Sequence, residues 1–98
     1  MTTRENILSI LKLHKPNLCM HGIDTIGLYG SYSRGEQHNT SDIDILIDFV
    51  SESENFDNFM FVCDYLDGLF SDEKVEVVTK NGLSPYIGPR ILKEVIYA

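Results

Sequence analysis

Apolar and polar residues alternate most regularly in the segment DIDILIDF, from Asp42 to Phe49. One side of this pattern is entirely apolar, and the other is acidic except for one leucine: Ile43, Ile45, Ile47 and Phe49 against Asp42, Asp44, Leu46 and Asp48. A period of two is typical of a strand with one buried face. The pattern therefore predicts a half-buried strand that carries two aspartates on its polar side.

The residues before this strand predict helical structure followed by another strand. Apolar residues recur close to helical spacing from Ile7 to Leu13, and Thr2 to Glu5 fits a capping box at the start of that helix. We expect Pro16 to interrupt the helix and to begin a short second piece that runs to Met20. Ile23–Tyr29 is apolar at intervals, ends at a glycine and predicts a strand.

The rest of the chain completes an alternating order of elements. Ser31–Gly35 is short and polar and is expected to form a turn of helix, and 37–41 (QHNTS) reads as a loop. A helical stripe predicts a helix over 56–70, KVEVVT predicts a strand over 74–79, and 88–97 reads as a final amphipathic helix. The order helix, strand, strand, helix, strand, helix predicts an α/β (α+β) fold, with a small mixed sheet of three or more strands flanked by helices.

Length and composition limit the possible classes of protein. The chain has 98 residues, of which 43% are hydrophobic, and this favours one modest globular core over disorder. We therefore expect residues 1–98 to form a single domain. Since no apolar run approaches the ~20 residues of a membrane-spanning helix, and no signal peptide is recognisable, we expect a cytoplasmic protein with no membrane partner.

The net charge of −7 is unevenly distributed. Between Gly35 and Glu73 there are eleven acidic residues and no lysine or arginine. Such a surface repels phosphate backbones, so direct binding of nucleic acid is not expected. It would instead attract a basic protein or divalent cations, although most of these side chains are expected to be simply solvated.

Asp42 and Asp44 are the first candidates for a chemical role. Two residues apart on a strand, they project from the same face with backbones roughly 6–7 Å apart. Neighbouring carboxylates repel each other unless a cation lies between them. Ligands that offer only oxygen suit Mg²⁺, which keeps several waters and is completed by substrate phosphates.

A candidate phosphate site precedes the aspartates. Gly30 and Ser31 end a predicted strand, where a glycine allows close approach of a phosphate and where amides and a hydroxyl can bind it. Arg34 can contact a phosphate bidentately or pair with Glu36 or Asp48, and Ser33 can add a hydroxyl or cap the turn. A phosphate-binding turn followed by two metal-binding carboxylates provides the groups that phosphoryl or nucleotidyl transfer requires.

The segment GSYSRGEQHNTSDIDILIDF resembles the signature of the polymerase-β-like nucleotidyltransferase superfamily, and the short chain is most similar to its minimal nucleotidyltransferase (MNT) branch. The resemblance implies that Gly30 and Ser31 hold the triphosphate of ATP. It implies that Asp42 and Asp44 bind two Mg²⁺ ions, with Glu76 as a third ligand and general base. The family more often has an aspartate at that position, and an exposed strand glutamate with no role is the alternative for Glu76.

The resemblance also implies a function. Minimal nucleotidyltransferases are commonly antitoxins encoded beside HEPN ribonuclease toxins, and members transfer AMP from ATP to a tyrosine of the toxin. We therefore expect a Mg²⁺-dependent adenylyltransferase antitoxin that assembles with its toxin. The first alternative is a catalytically degenerate antitoxin that neutralises its partner by binding alone. A transferase for small molecules ranks last, because it would need a substrate domain that this chain lacks.

Overall fold

A computed structural model of the chain describes residues 2–98. These residues form three α-helices, α1 (Arg4–Cys19), α2 (Phe56–Leu69) and α3 (Gly88–Glu94). They form four strands, β1 (Ile23–Tyr29), β2 (Ile43–Phe49), β3 (Val75–Thr79) and β4 (Ile96–Tyr97). The strand order is β3-β2-β1-β4, with β2 and β3 parallel and the other two pairs antiparallel. The predicted mixed sheet flanked by helices is confirmed.

The two faces of the sheet differ as the alternation in β2 predicts. Its four odd-numbered residues, Ile43 to Phe49, are buried in a core that α1 and α2 complete with residues such as Leu11 and Leu66. Asp44, Leu46 and Asp48 lie on the opposite face, where Leu46 is nevertheless only 1% exposed. Burial of the apolar face supplies most of the driving force for folding and leaves the acidic face for chemistry.

The first helix differs from its prediction at both ends. Its N-cap is Thr3 rather than Thr2, and the Thr3 hydroxyl accepts a hydrogen bond from the Asn6 backbone N–H at 3.1 Å. The helix also continues through Pro16 to Cys19 as one piece. Pro16 lies in the last turn, where it removes one hydrogen bond. The complete burial of Leu18 stabilises the continued helix and offsets this loss.

The predicted final helix, residues 88–97, is wrong in its second half. Helix α3 ends at Glu94, and Ile96 and Tyr97 pair with Leu28 and Gly27 of β1. The Ala98 N–H extends this pairing by donating to the Ile26 carbonyl at 2.9 Å. The free edge of β1 offers hydrogen bonds that outweigh continuation of the helical pattern.

No helix within residues 2–98 combines the length and the apolar composition needed to cross a bilayer.

Candidate active site

The candidate site begins where β1 ends. Gly30 has φ of +78°, a conformation that favours glycine, and a Cβ at this position would collide with the Asp44 carboxylate. Tyr29 pairs directly with Asp44 across the antiparallel strands. The glycine therefore allows the chain to turn away from the sheet while it touches the neighbouring aspartate. The structure thus brings together Gly30 and Asp44, and their shared role in a site stays a prediction.

The segment after Gly30 forms a hydrogen-bonded turn rather than a helix, although one of its bonds has helical spacing. Arg34 N–H donates to the Gly30 carbonyl at 3.3 Å, and Gly35 ends the turn with φ of +70°. The closing bonds run from Glu36 N–H to the Ser31 carbonyl at 2.9 Å and from Gly35 N–H to Tyr32 O at 3.2 Å, which is the Schellman pattern. These bonds hold Ser31 in a fixed position at the start of the turn.

Ser33, a predicted phosphate ligand, takes part in the same turn. Its side-chain hydroxyl donates to the Gly30 carbonyl at 2.8 Å, and the residue is 7% exposed. The hydroxyl thus bonds back to the carbonyl three residues earlier, which differs from the predicted cap, where it would accept from a backbone N–H. A role for Ser33 in phosphate binding stays a prediction, and its observed contact stabilises the turn from inside.

The carboxylates meet across the parallel strands β2 and β3. Asp44 and Glu76 are register partners, so their side chains leave the same face of the sheet next to each other. Asp42 lies one residue before β2, so the observed strand begins one residue later than the predicted range 42–49. The Lys74 Nζ approaches both ends of this group, at 3.9 Å from Asp42 Oδ2 and 3.8 Å from Glu76 Oε1. We name Asp42, Asp44 and Glu76 the acidic trio.

The pKa of Asp44 reflects its burial first and the neighbouring negative charges second. Burial, reinforced by the negative charges of Glu76, Asp42 and Glu94, raises the pKa of Asp44 to about 6. Arg34 acts in the opposite direction but does not cancel these effects. Burial and the charges of Asp44 and Glu76 likewise raise the pKa of Tyr29 to about 12. Both shifts show a partly desolvated site with excess negative charge, which a cation would relieve.

The acidic trio fits magnesium chemistry in its donor atoms but does not form a closed cage. Among residues 2–98, no set of three or more histidine, cysteine, aspartate or glutamate side chains converges tightly enough to hold an ion. Mg²⁺ is usually bound by one or two carboxylates together with substrate phosphates, so an open arrangement is compatible with it. The side chains of Asp42 and Glu76 are 32% and 51% exposed, which leaves them free to reorient.

Arg34 has two carboxylate partners. Its Nε lies 2.5 Å from Glu36 Oε1, as one alternative predicts, and its Nη1 lies 2.9 Å from Glu94 Oε2. Glu94 also accepts a hydrogen bond from the Gly30 N–H at 2.5 Å. The sequence-based interpretation missed Glu94 because its partners lie 60 or more residues away and a helical glutamate has no distinctive local signal.

A cavity of about 210 Å³ adjoins this cluster. Tyr29 and Gly30 form one side of it, and α3 forms the other with Ile91 and Glu94. Two other tyrosines lie elsewhere: Tyr32 is fully buried in the core, and Tyr86 is 91% exposed. Tyr29 is thus the tyrosine that borders the candidate site.

Comparison with known proteins identifies the family. The sequence profile described as "Nucleotidyltransferase domain" matches residues 6–98. This chain belongs to the nucleotidyltransferase family. It is a nucleotidyltransferase by this match and by its similarity to named transferases.

Two curated relatives cover nearly the same length as this nucleotidyltransferase. "Protein adenylyltransferase MntA" of Thermococcus cleftensis is 41% identical over 98 residues, covering 99% of this chain and 97% of that protein. A Methanocaldococcus jannaschii protein, provisionally assigned as a protein adenylyltransferase, is 39% identical over 84 residues, covering 85% of this chain and 95% of its own.

Solved structures share the fold. A protein provisionally assigned as a minimal nucleotidyltransferase matches with a TM-score of 0.82 and 26% identity, over 97% of this chain and 95% of that chain. A crystallised toxin–antitoxin with AMP-PNP matches with a TM-score of 0.64 and 24% identity, over 98% of this chain and 72% of that chain. The second likeness concerns the fold alone. The three helices and four-strand mixed sheet are thus a nucleotidyltransferase-like fold.

Proposed function

We propose that this nucleotidyltransferase is a Mg²⁺-dependent protein adenylyltransferase and an antitoxin, which transfers AMP from ATP to a tyrosine of a HEPN ribonuclease toxin. The observation that carries the chemistry is the close approach of Gly30 to Asp44, together with the register pairing of Asp44 with Glu76 on one sheet face. The similarity to an MntA protein adenylyltransferase over almost the whole of both chains supports the choice of adenylyl donor and protein acceptor.

Each group has a part in the proposed transfer. Ser31 and the amides at the start of its turn bind the triphosphate, with Arg34 and Ser33 beside them. Asp42, Asp44 and Glu76 would hold two Mg²⁺ ions. When bound, these ions would neutralise charge on the reacting phosphate and orient the leaving group. Glu76, the most exposed member of the trio, accepts the proton of the acceptor hydroxyl.

The covalent step is a substitution at the α-phosphorus of ATP. The tyrosine oxygen of the acceptor forms a bond to this phosphorus, while the bond from it to the α,β-bridging oxygen breaks. Pyrophosphate leaves with the electron pair of that bond, and the tyrosine proton goes to Glu76. The product is a tyrosyl-AMP ester on the acceptor, and no oxidant or reductant is needed.

The surroundings of the site support a protein acceptor. β3 is an edge strand, so Glu76 lies at an open border of the sheet rather than in a closed pocket. The acidic stretch from Gly35 to Glu73 would attract a basic RNA-cleaving partner. We place this activity in the cytoplasm, within a hetero-oligomer of antitoxin and toxin, and assign it to a single domain, residues 1–98.

The proposal is tested with ATP labelled at the α-phosphate, Mg²⁺ and the protein encoded beside this gene. We expect label on a tyrosine of that protein, and a loss of at least ~10²-fold in the Asp42→Asn/Asp44→Asn variant, since charge stabilisation at the phosphate is removed. Asp24→Asn, an exposed aspartate on β1, is the matched control. Transfer at the normal rate by the double variant would refute the proposed site.

A second candidate is a binding-only antitoxin. It is favoured by the lack of a converging metal-binding set among residues 2–98 and by the occupation of the Gly30 amide by Glu94. The same experiment separates the two functions. A stable complex that inhibits the partner ribonuclease, without any label on it and equally well with the double variant, would establish the binding-only function.

A further inference from the structure

Glu94 makes several polar contacts with the turn of residues 30–36, which we name the phosphate turn after its proposed role. Its Oε2 accepts from the Gly30 N–H at 2.5 Å and from Arg34 Nη1 at 2.9 Å, while Oε1 lies 3.1 Å from the same Nη1. Arg90 Nε is 4.0 Å away on the same helix. The side chain is 15% exposed, so these bonds form in a partly desolvated place, where bonds to charged groups are strong.

The register of the sheet explains why Glu94 reaches Gly30. β4 pairs with β1 in antiparallel register, with Ile96 opposite Leu28. Continuing that register by two residues toward the N-terminus of β4 places Glu94 opposite Gly30. Gly27 makes this pairing possible, because a Cβ there would lie 2.6 Å from Val95 Cγ2. The last residue of α3 is therefore attached to the phosphate turn by the neighbouring strand.

The two groups that Glu94 binds are both part of the proposed phosphate site. Glu94 fixes the peptide plane before Gly30, and the bonds to the Gly30 carbonyl fix the next plane, which carries the Ser31 amide. The guanidinium of Arg34 is held through Nε and Nη1, and among residues 2–98 no hydrogen bond uses its Nη2. The planar fork of arginine gives this remaining donor a defined direction toward a phosphate oxygen.

We infer that Glu94 is a positioning residue for the nucleotide, which sets the orientation of the Gly30–Ser31 backbone and of Arg34 to receive the triphosphate. This inference rests on the proposed adenylyl transfer. It assigns to the C-terminal helix a part in substrate binding, through Arg34 and the turn rather than by contact with ATP. The opposite role is a plug: a carboxylate that occupies the phosphate position and competes with ATP.

Glu94→Gln separates these roles, because glutamine keeps the shape and one acceptor but loses the charge. Glu36→Gln is the matched comparison, since it leaves Gly30 untouched and removes only the exposed carboxylate on Arg34, whose ion pair is weakened by water. Kinetics are measured well below the unfolding temperature of each variant. We expect Glu94→Gln to raise the KM for ATP by ~10-fold, in keeping with loss of a charge-assisted hydrogen bond, and Glu36→Gln by no more than ~2-fold.

A second readout follows the contact itself. The amide proton of Gly30 should resonate far downfield in the wild type, and Glu94→Gln should move it upfield while Glu36→Gln leaves it in place. Arg34→Lys keeps the charge, loses the fork and should also raise the KM. This variant tests the same arrangement if Glu94→Gln folds poorly.

Two results would overturn the inference. A lower KM for ATP in Glu94→Gln would show that the carboxylate competes with ATP for the phosphate position. A shifted Gly30 resonance with unchanged kinetics would show that Glu94 only stabilises the fold. Failure of the proposed function looks different. In that case the wild type itself transfers no AMP and does not bind AMP-PNP, whichever residue is at position 94.

Discussion

Asp44 offers the sharpest test of the site's electrostatics, through the stability of the protein without metal. Its pKa in the folded chain is about 6, against an ordinary value of 3.8, because of burial and the neighbouring Glu76, Asp42 and Glu94. The folded state therefore binds more protons than the unfolded state between these values. The free energy of unfolding must fall as the pH rises through that window, and the loss is complete above pH ~7.

The size of the effect follows from the shift. A difference of roughly two pKa units corresponds to about 3 kcal/mol, since one unit is ~1.4 kcal/mol. Asp44 is half-buried, so water screens part of this energy and we expect about 1 kcal/mol. Asp44→Asn, which cannot ionise, should therefore be more stable than the wild type at pH 7.5 by about 1 kcal/mol. For a domain of this size the gain corresponds to about 4–8 °C in Tm.

The assay is urea unfolding of both proteins in EDTA at pH 4.5 and pH 7.5. At pH 4.5 most of the advantage of Asp44→Asn should have disappeared, because the wild-type carboxyl is then protonated in the folded state. Asp24→Asn, exposed on β1, should show no comparable dependence on pH. An equal gain in the free energy of unfolding at both pH values, or no gain at pH 7.5, would show that the ionised Asp44 carboxylate does not destabilise the fold.

Two glycines give further predictions. Gly30→Ala should lower the free energy of unfolding by at least ~1–2 kcal/mol, because of the strain of its positive φ and the collision with Asp44. It should also abolish AMP transfer. Thermal unfolding measures the first effect and the labelling assay the second. Gly27→Ala should push Val95 away, so that exchange of the Ala98 amide accelerates and the KM for ATP rises. Gly68→Ala is the control for both variants, since nothing lies within 4 Å of its Cβ position and alanine favours the helix. Unchanged exchange of the Ala98 amide in Gly27→Ala would refute the role of β4.

Sequence was sufficient where the structure depends on local patterns. The alternation in 42–49 predicted a strand that the structure places at Ile43–Phe49, and the strand Ile23–Tyr29 has the predicted bounds. The turn after Gly30 was predictable because glycine and polar residues restrict a short segment strongly. Each of these features follows from neighbours within a few residues along the chain, where steric and solvation preferences act directly.

Sequence was insufficient where distant segments compete for the same residues. Residues 95–97 fit a helical pattern, and only the open edge of β1 makes a strand more favourable there. Pro16 fits a helix break, and only the burial of Leu18 explains why the helix continues. Glu94 was missed for the same reason, since its role depends on a register with β1 that no local pattern encodes.

Glu76 depends on both the local sequence pattern and a contact between distant segments. Its place in the site was implied by resemblance alone, and the parallel register of β2 and β3 supplies the physical reason, since it puts Glu76 directly beside Asp44. The cation near it in this structure is Lys74, whose side chain is 71% exposed and whose contacts of 3.8 and 3.9 Å are those of a weak surface pair. A divalent ion carries twice the positive charge of this lysine and would displace it at little cost.

The position of the acidic trio also bears on the kind of acceptor that the site can take. The trio lies at the border between β2 and the edge strand β3, so an incoming hydroxyl can approach Glu76 from outside the sheet. The cavity of about 210 Å³ lies by contrast beside Tyr29 and α3. An enclosed small substrate needs walls around the reacting atoms, whereas a side chain presented by another protein brings its own support. The geometry of the edge therefore favours a macromolecular acceptor over a small molecule.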